Sequence, residues 1–73
     1  MANEKGSEIA MDKLTIKQIR VGLNMTQKEM ADYLGISEVA YRNKEKGYSP
    51  FLFTEVRRIC ELAKVDVSKV KDS

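Results

Sequence analysis

Apolar residues recur at intervals of three or four along most of the chain, which is the spacing of one face of a helix. Ile16 and Ile19 begin the first such stripe. Thr15 comes just before it, and Gln18 follows three positions later. This is the spacing of a capping box, in which each side chain satisfies a backbone donor of the first turn. The pattern predicts a first helix over residues 15–21.

A second helix is predicted by the same kind of beginning. Thr26 and Glu29 form another capping-box pair. Gly35 stands where a glycine ends many helices in a left-handed conformation. The residues between them that share one face are Met30, Ala31 and Leu34. We expect this face to pack on the core, with the methionine as a filler of that core.

A third helix is predicted from Glu38 to about Lys46, because Ser37 is a suitable N-cap residue and Gly47 can close the helix. Its apolar residues are few: Val39, Ala40 and Tyr41. A helix with so little to bury often contacts another molecule with its remaining surface. Tyr41 is the residue we expect to anchor this helix inward.

A fourth helix is predicted over residues 52–64, after the loop sequence GYSP. Its apolar stripe comprises Leu52, Val56, Ile59, Cys60 and Ala63. Cys60 is expected to be a small buried hydrophobic residue. Asp66 is placed to cap a last short turn, with Val67 and Val70 facing inward. No segment alternates polar and apolar residues for long enough to predict a strand.

The second and third helices are predicted to form a helix-turn-helix unit, because only a tight turn at Gly35 separates them. Glycine permits a left-handed backbone at the turn. The small side chain of Ala31 lets the two helices approach closely, and Ile36 fills the space between them. The chain is therefore expected to be an all-α domain of four to five short helices over residues 14–73, after a flexible tail over residues 1–13.

Composition limits the functions that fit this fold. The chain has 73 residues, a net charge of +2, one cysteine and no histidine. This length suits one domain, and the residues offer neither a disulfide nor a zinc-ligand set. No phosphate-binding glycine loop or catalytic pair of carboxylates is present, so we expect neither an enzyme nor a cofactor. The chain shows no membrane span or secretory signal, and we expect a cytoplasmic protein.

The stretch LTIKQIRVGLNMTQKEMADYLGISEVAYRNKEKG resembles the Cro/repressor-type (XRE-like) helix-turn-helix domains of phage repressors. The strongest matches are MTQKEMADYLGIS and the later EKG, and the likeness extends over about residues 14–70. The resemblance implies a lambda-repressor-like fold. It also implies a homodimer that binds double-stranded DNA at a two-fold operator, with one reading helix per half-site.

Roles for individual residues follow from this resemblance, position by position. The positions matched to phosphate contacts are Gln27, Ser37, Lys46 and Tyr48. The positions matched to base reading are Glu38, Val39 and Asn43, and the outward-facing Arg42 is expected to reach a base or a phosphate. Arg20 and Glu45 fall where many members have an internal salt bridge.

The side chains at these positions are only partly suited to binding DNA. Asn43 can bond adenine and Val39 can pack on a thymine methyl group. Glu38 could accept from cytosine but repels phosphate, so solvent exposure or a protein contact remains open for it. Lys44 stands at a position that is usually apolar, and we expect its stem to pack while its ammonium group reaches outward. Acidic and basic residues cancel over residues 27–48, which leaves no basic footprint in the sequence itself.

Two functions fit these observations. The first is a sequence-specific transcriptional regulator that reads the major groove with the helix beginning near Ser37. The alternative is a protein-binding member of the same fold, of antirepressor or antitoxin-like type, using the same helix face or the loop YSPFLF. That loop is either a small cluster packed beneath its own backbone or an exposed contact surface. A dimer surface is expected around the fourth helix and the C-terminal turn.

Overall fold

The computed structural model describes residues 13–71. The predicted tail over residues 1–13 therefore lies outside the described residues, apart from Lys13. Within residues 13–71 the elements are α1 (Ile16–Gly22), α2 (Gln27–Leu34), α3 (Glu38–Glu45), α4 (Phe53–Ala63) and a 3-10 turn (Val67–Lys69). The described part contains no strand beyond one isolated bridge, so the all-α class is confirmed.

Helices α1, α2 and α3 begin at the positions that the capping residues in the sequence predicted. Thr15 accepts a hydrogen bond from the backbone N–H of Gln18, and the Gln18 side chain accepts one from the backbone of Thr15. The same reciprocal pair forms between Thr26 and Glu29 at the start of α2. Ser37 accepts from the backbone N–H of Ala40 at the start of α3. These bonds satisfy donors that have no partner within the helix.

The turn between α2 and α3 depends on Gly35, which has φ of 76°. The backbone N–H of Ile36 then donates to the carbonyl of Ala31 at 3.0 Å, which closes the end of α2. Gly47 (φ 86°) and Lys64 (φ 59°) likewise adopt left-handed conformations after α3 and α4. The observed helices differ from the predicted ones by one residue at most ends, as helix ends often do.

The core lies where all four helices meet. Its largest fully buried side chains are Met30, Tyr41, Ile59 and Cys60, and the other buried apolar residues are Ile16, Ile19, Ala31 and Leu34. Tyr41 is the only one of these that α3 contributes, as its sparse apolar pattern predicted. Burial raises the pKa of the Cys60 thiol, which fits the buried hydrophobic role expected for it.

Leu52 does not belong to the apolar stripe of α4, and that part of the prediction is wrong. Leu52 is 58% exposed and lies just before the helix as its N-cap residue. The residue buried in the first turn is instead Glu55, which is only 7% exposed. Its carboxylate accepts a hydrogen bond from the backbone N–H of Leu52 at 2.8 Å. The charged residue Glu55 thus occupies the inward position at the start of α4 that the hydrophobic pattern assigned to Leu52.

The two ends of the described chain are joined by backbone hydrogen bonds. The N–H of Leu14 donates to the carbonyl of Lys69 at 2.7 Å, and the N–H of Lys71 donates to the carbonyl of Leu14 at 2.8 Å. These bonds form a parallel bridge between Leu14 and Val70. Val70 packs against the core beside the bridge, as its inward prediction required. The bridge fixes the start of α1 against the C-terminal turn.

Candidate nucleic-acid interface

Helix α3 turns one narrow face inward and presents the rest outward. Tyr41 is fully buried, and it fixes the rotation of the helix about its axis. Val39 is 61% exposed, although it is apolar, and Asn43 is exposed one turn later. Glu38 and Arg42 are partly exposed on the adjoining stripe. Residues four apart lie on one face of a helix, so the four predicted base-reading residues form one continuous outward surface.

Glu45 sits at the centre of a hydrogen-bonded network beneath this surface. Its carboxylate accepts from Arg20 Nε at 2.8 Å, from Gln27 Nε2 at 2.9 Å and from the Tyr41 hydroxyl. The side chains of Arg20 and Glu45 are only 11% and 5% exposed. Arg20 also donates from Nη1 to the carbonyl of Met25 at 2.8 Å. The ion pair that the resemblance implied is therefore present, and it ties α1 to the end of α3.

The electrostatics of the network favour its charged form. Burial by itself raises the pKa of Glu45, but the hydrogen bonds from Arg20, Tyr41 and Gln27 outweigh it and leave this pKa below the ordinary value. The hydrogen bond to Glu45 raises the pKa of Arg20. Burial and the same carboxylate raise the pKa of Tyr41. Glu45 therefore stays ionised and Tyr41 stays neutral at ordinary pH.

Gln27 lies at the first position of α2, where it can face both the network and the solvent. Its Nε2 donates to Glu45, and its Oε1 accepts from Arg42 Nε at 3.4 Å. An amide nitrogen carries two hydrogens, so one donor can serve a phosphate while the other stays on Glu45. The family resemblance predicted a phosphate contact for Gln27 but gave no sign of its role in the network.

The remaining predicted phosphate contacts lie at the two ends of α3. The Ser37 hydroxyl oxygen caps the helix by accepting from the backbone, which leaves its own hydrogen to donate outward. Lys46 and Tyr48 are both exposed beyond the other end. The Lys46 ammonium group lies 5.9 Å from the centre of the Tyr48 ring, in cation–π contact. Polar groups able to meet phosphates therefore flank the exposed face of α3.

The ammonium group of Lys44 does not reach outward, and that part of the prediction is wrong. Its Nζ donates to both carboxylate oxygens of Glu55, at 2.7 and 2.8 Å, and both side chains are largely buried. This second internal ion pair was not predicted from the sequence. The one signal available was that Glu55 follows Leu52 by three positions, which is the spacing of a capping glutamate.

Internal pairing explains how a motif without net charge can still face an anion. The acidic side chains of Glu38 and Asp32 are each paired with a basic side chain one turn away, Arg42 at 2.9 Å and Lys28 at 3.4 Å. Glu45 is already neutralised by Arg20. Each of these carboxylates is thus partly compensated by its own cation, which reduces the repulsion of a phosphate.

The loop YSPFLF divides into a buried part and an exposed part. The Phe51 ring packs edge-on against Tyr41, with the ring centres 5.9 Å apart. Tyr48, Leu52 and Phe53 are exposed, Phe53 to the extent of 64%. An apolar groove lies beside Phe53, lined also by Ile16, Pro50, Phe51, Val56, Val67, Val70 and Lys71. The interpretation of this loop as a small cluster packed beneath its own backbone therefore holds only for Phe51.

Other kinds of site are not apparent in the described residues. Residues 13–71 contain no group of three or more side chains that could hold a metal ion. None of the helices among them is both long and apolar enough to cross a membrane.

Comparison with known proteins gives one match. The family model described as helix-turn-helix matches residues 16–70, which includes every helix of the structure. No match was found among curated proteins or among solved structures.

Proposed function

Because the chain belongs to the XRE-type helix-turn-helix family, whose members are DNA-binding regulators, we propose that it is a Cro/repressor-type regulator. In this proposal α3 reads the major groove. The observation that carries this proposal is the outward face of α3. It presents Val39, Arg42 and Asn43 together, while Tyr41 holds the helix from the other side.

The proposed docking geometry follows from where polar groups surround this face. With α3 in the major groove, the N-terminus of α2 lies across the DNA backbone. Gln27 then meets one phosphate there, and Ser37 meets another at the start of α3. Lys46 and Tyr48 meet the backbone on the far side. To Asn43 we assign a bond with an adenine, and to Val39 a contact with a thymine methyl group.

The regulator is proposed to bind as a homodimer, because a single short reading helix contacts few bases. The surface we assign to the second copy is the groove beside Phe53. It contains both a hollow and a projecting ring, and a two-fold interface needs such a self-complementary patch. A patch of exposed large apolar side chains is otherwise unfavourable on a small domain in water.

We predict different effects for two exposed residues of the DNA-facing surface. Replacing Asn43 with alanine should weaken binding to the preferred sequence by about 5- to 150-fold and leave binding to unrelated DNA unchanged, because a lost base contact costs about 1–3 kcal/mol. Replacing Lys46 with alanine should weaken binding to all sequences alike and reduce the salt slope by about one. Fluorescence anisotropy titrations at several salt concentrations measure both quantities.

Val21→Glu is a suitable control for this comparison, because Val21 is exposed on α1, a helix to which no DNA contact is assigned. The preferred sequence is found by selection from a random DNA pool. A parent protein that enriches no sequence, but forms a stable complex with another protein through α3, would favour the protein-binding alternative. The proposed docking is wrong if N43A and K46A both bind like the parent.

We predict that Phe53→Glu separates the dimer. The substitution places a charge at the centre of the proposed interface, and the helix should tolerate it because an acidic residue in the first turn is favourable. Sedimentation equilibrium should show a monomer for F53E and a dimer for the parent at the same concentration. V21E, which adds a charge to another exposed apolar position, should remain a dimer. A parent that is monomeric on its own but captured by another protein through Phe53 contradicts the homodimer assignment.

A further inference from the structure

Arg42 is held in place by acceptors from two different helices. Its Nε donates to Gln27 Oε1 on α2 at 3.4 Å. Its Nη2 donates to Glu38 Oε2, one turn earlier on α3, at 2.9 Å. A long arginine side chain on a helix surface otherwise samples many rotamers, and fixing it on binding has an entropic cost. These two bonds reduce the entropic cost of binding, because they already restrict the Arg42 side chain in the free protein.

The anchored guanidinium still has donors to offer. Arginine carries five N–H donors in a planar fork, and the hydrogen bonds described for residues 13–71 use two of them. Among the donors that remain are two at the tip of the fork, one on each terminal nitrogen. Two parallel donors in one plane match the O6 and N7 acceptors of guanine, which is the commonest specific contact of arginine with DNA.

Glu38 is therefore better placed to orient Arg42 than to contact a base. Its carboxylate already accepts from Arg42, and both side chains are only partly exposed. A second anchor comes from Gln27, which is itself fixed by Glu45, so the chain of bonds runs from the buried Arg20 pair to the surface. Such a chain gives Arg42 a definite direction from α3.

We propose that Glu38 is a positioning residue that directs the Arg42 guanidinium at a guanine, and that Arg42, not Glu38, reads that base pair. This inference rests on the proposed function, since it requires that α3 enters the major groove. It assigns a guanine to one position of the preferred DNA site, and it explains why an acidic residue can stand at a surface that meets phosphates.

The test compares the base preference of variants on the site that the parent selects from a random DNA pool. Dissociation constants are measured for that site and for every single base-pair substitution of it. Arg42→Ala should lower discrimination at one G·C pair by about 5- to 150-fold, the range for a lost bidentate contact. Glu38→Ala should lower discrimination at the same pair. Glu38→Gln, which keeps an acceptor oxygen within reach of Arg42, should restore part of it.

Asn43→Ala provides the matched comparison, since it should lower discrimination at a different base pair. Thermal unfolding of E38A close to that of the parent shows that the loss does not come from the fold, because a partly exposed pair one turn apart on a helix contributes little to stability. Binding of E38A to unrelated DNA should be equal or tighter, since a negative charge is removed.

Two results would overturn the inference while leaving the proposed function intact. In the first, E38A loses discrimination at a base pair that R42A still distinguishes, which shows that Glu38 reads a base itself. In the second, E38A keeps full discrimination at the pair that depends on Arg42. A parent that selects no sequence at all refutes the proposed function itself, so the two failures are distinguishable.

Discussion

Replacing Glu45 with alanine should destabilise the domain by about 3–5 kcal/mol, which is the usual cost of leaving one partner of a buried ion pair alone. Arg20 would keep its charge at a side chain that is 11% exposed. Tyr41 and Gln27 would also lose the acceptor that they share. For a domain of this size the midpoint of thermal unfolding should fall by more than about 10 °C. Circular dichroism during heating measures this change.

The pH dependence of stability provides a second measurement on the same variant. The pKa of Glu45 in the folded protein lies below its ordinary value of 4.5. Its contribution to stability is therefore complete above that value and is lost as the pH falls through the lower folded pKa. The parent should lose stability over that interval, and E45A should lose less.

Removing both charges provides the control. The double variant R20M/E45Q leaves no unpaired ion and keeps an oxygen that can accept from the Tyr41 hydroxyl, and removing both charges of a buried pair is often neutral or stabilising. We expect its unfolding midpoint to lie much closer to the parent than that of E45A. If E45A unfolds within about 1 kcal/mol of the parent, the network does not hold α1 to α3 as its burial and geometry indicate.

The parts of this structure that sequence could predict are those specified by local chemistry. Thr15, Thr26 and Ser37 mark helix starts because their hydroxyl groups satisfy backbone donors only a few residues away. Gly35 marks the turn because its φ of 76° disfavours other residues. Each of these signals depends on a span of about four residues, so a single sequence contains it in full.

The parts that sequence could not predict depend on contacts between distant residues. Lys44 and Glu55 are separated by eleven positions, and Leu14 meets Val70 across nearly the whole described chain. The residues of the Arg20–Glu45 pair are also distant in sequence. The family resemblance nevertheless predicted the pair, because both residues fall at positions where many members have an internal salt bridge. No such precedent marked Lys44 and Glu55. A hydrophobic pattern cannot reveal a buried charge, since it assigns charged residues to the surface.

Leu52 shows the opposite error. The hydrophobic pattern assigned this apolar residue to the buried stripe of α4, but its side chain is exposed. Glu55 occupies the first buried position of that helix instead. Competition for one inward position decided the outcome, and a pattern of apolar residues does not show which residue wins it.

The second large effect expected is that of Lys44→Met. Resemblance to the family would predict stabilisation, because an apolar residue is usual at this position. The structure predicts a loss of about 3 kcal/mol instead, since Glu55 would remain as a buried carboxylate without its cation. The hydrogen bond from the backbone of Leu52 would persist, so the loss should be smaller than for E45A. Urea unfolding followed by circular dichroism gives the free energy.

The double variant K44M/E55Q separates the two explanations. Glutamine keeps an oxygen that accepts from the backbone of Leu52 at the start of α4, while neither residue carries a charge. Its stability should equal or exceed that of the parent, because removing both ions also removes their desolvation cost. K44M alone would then be destabilising in the parent and stabilising when Glu55 is already replaced. This change of sign requires that the two side chains interact directly, and an equal effect of K44M in both backgrounds would contradict the ion pair.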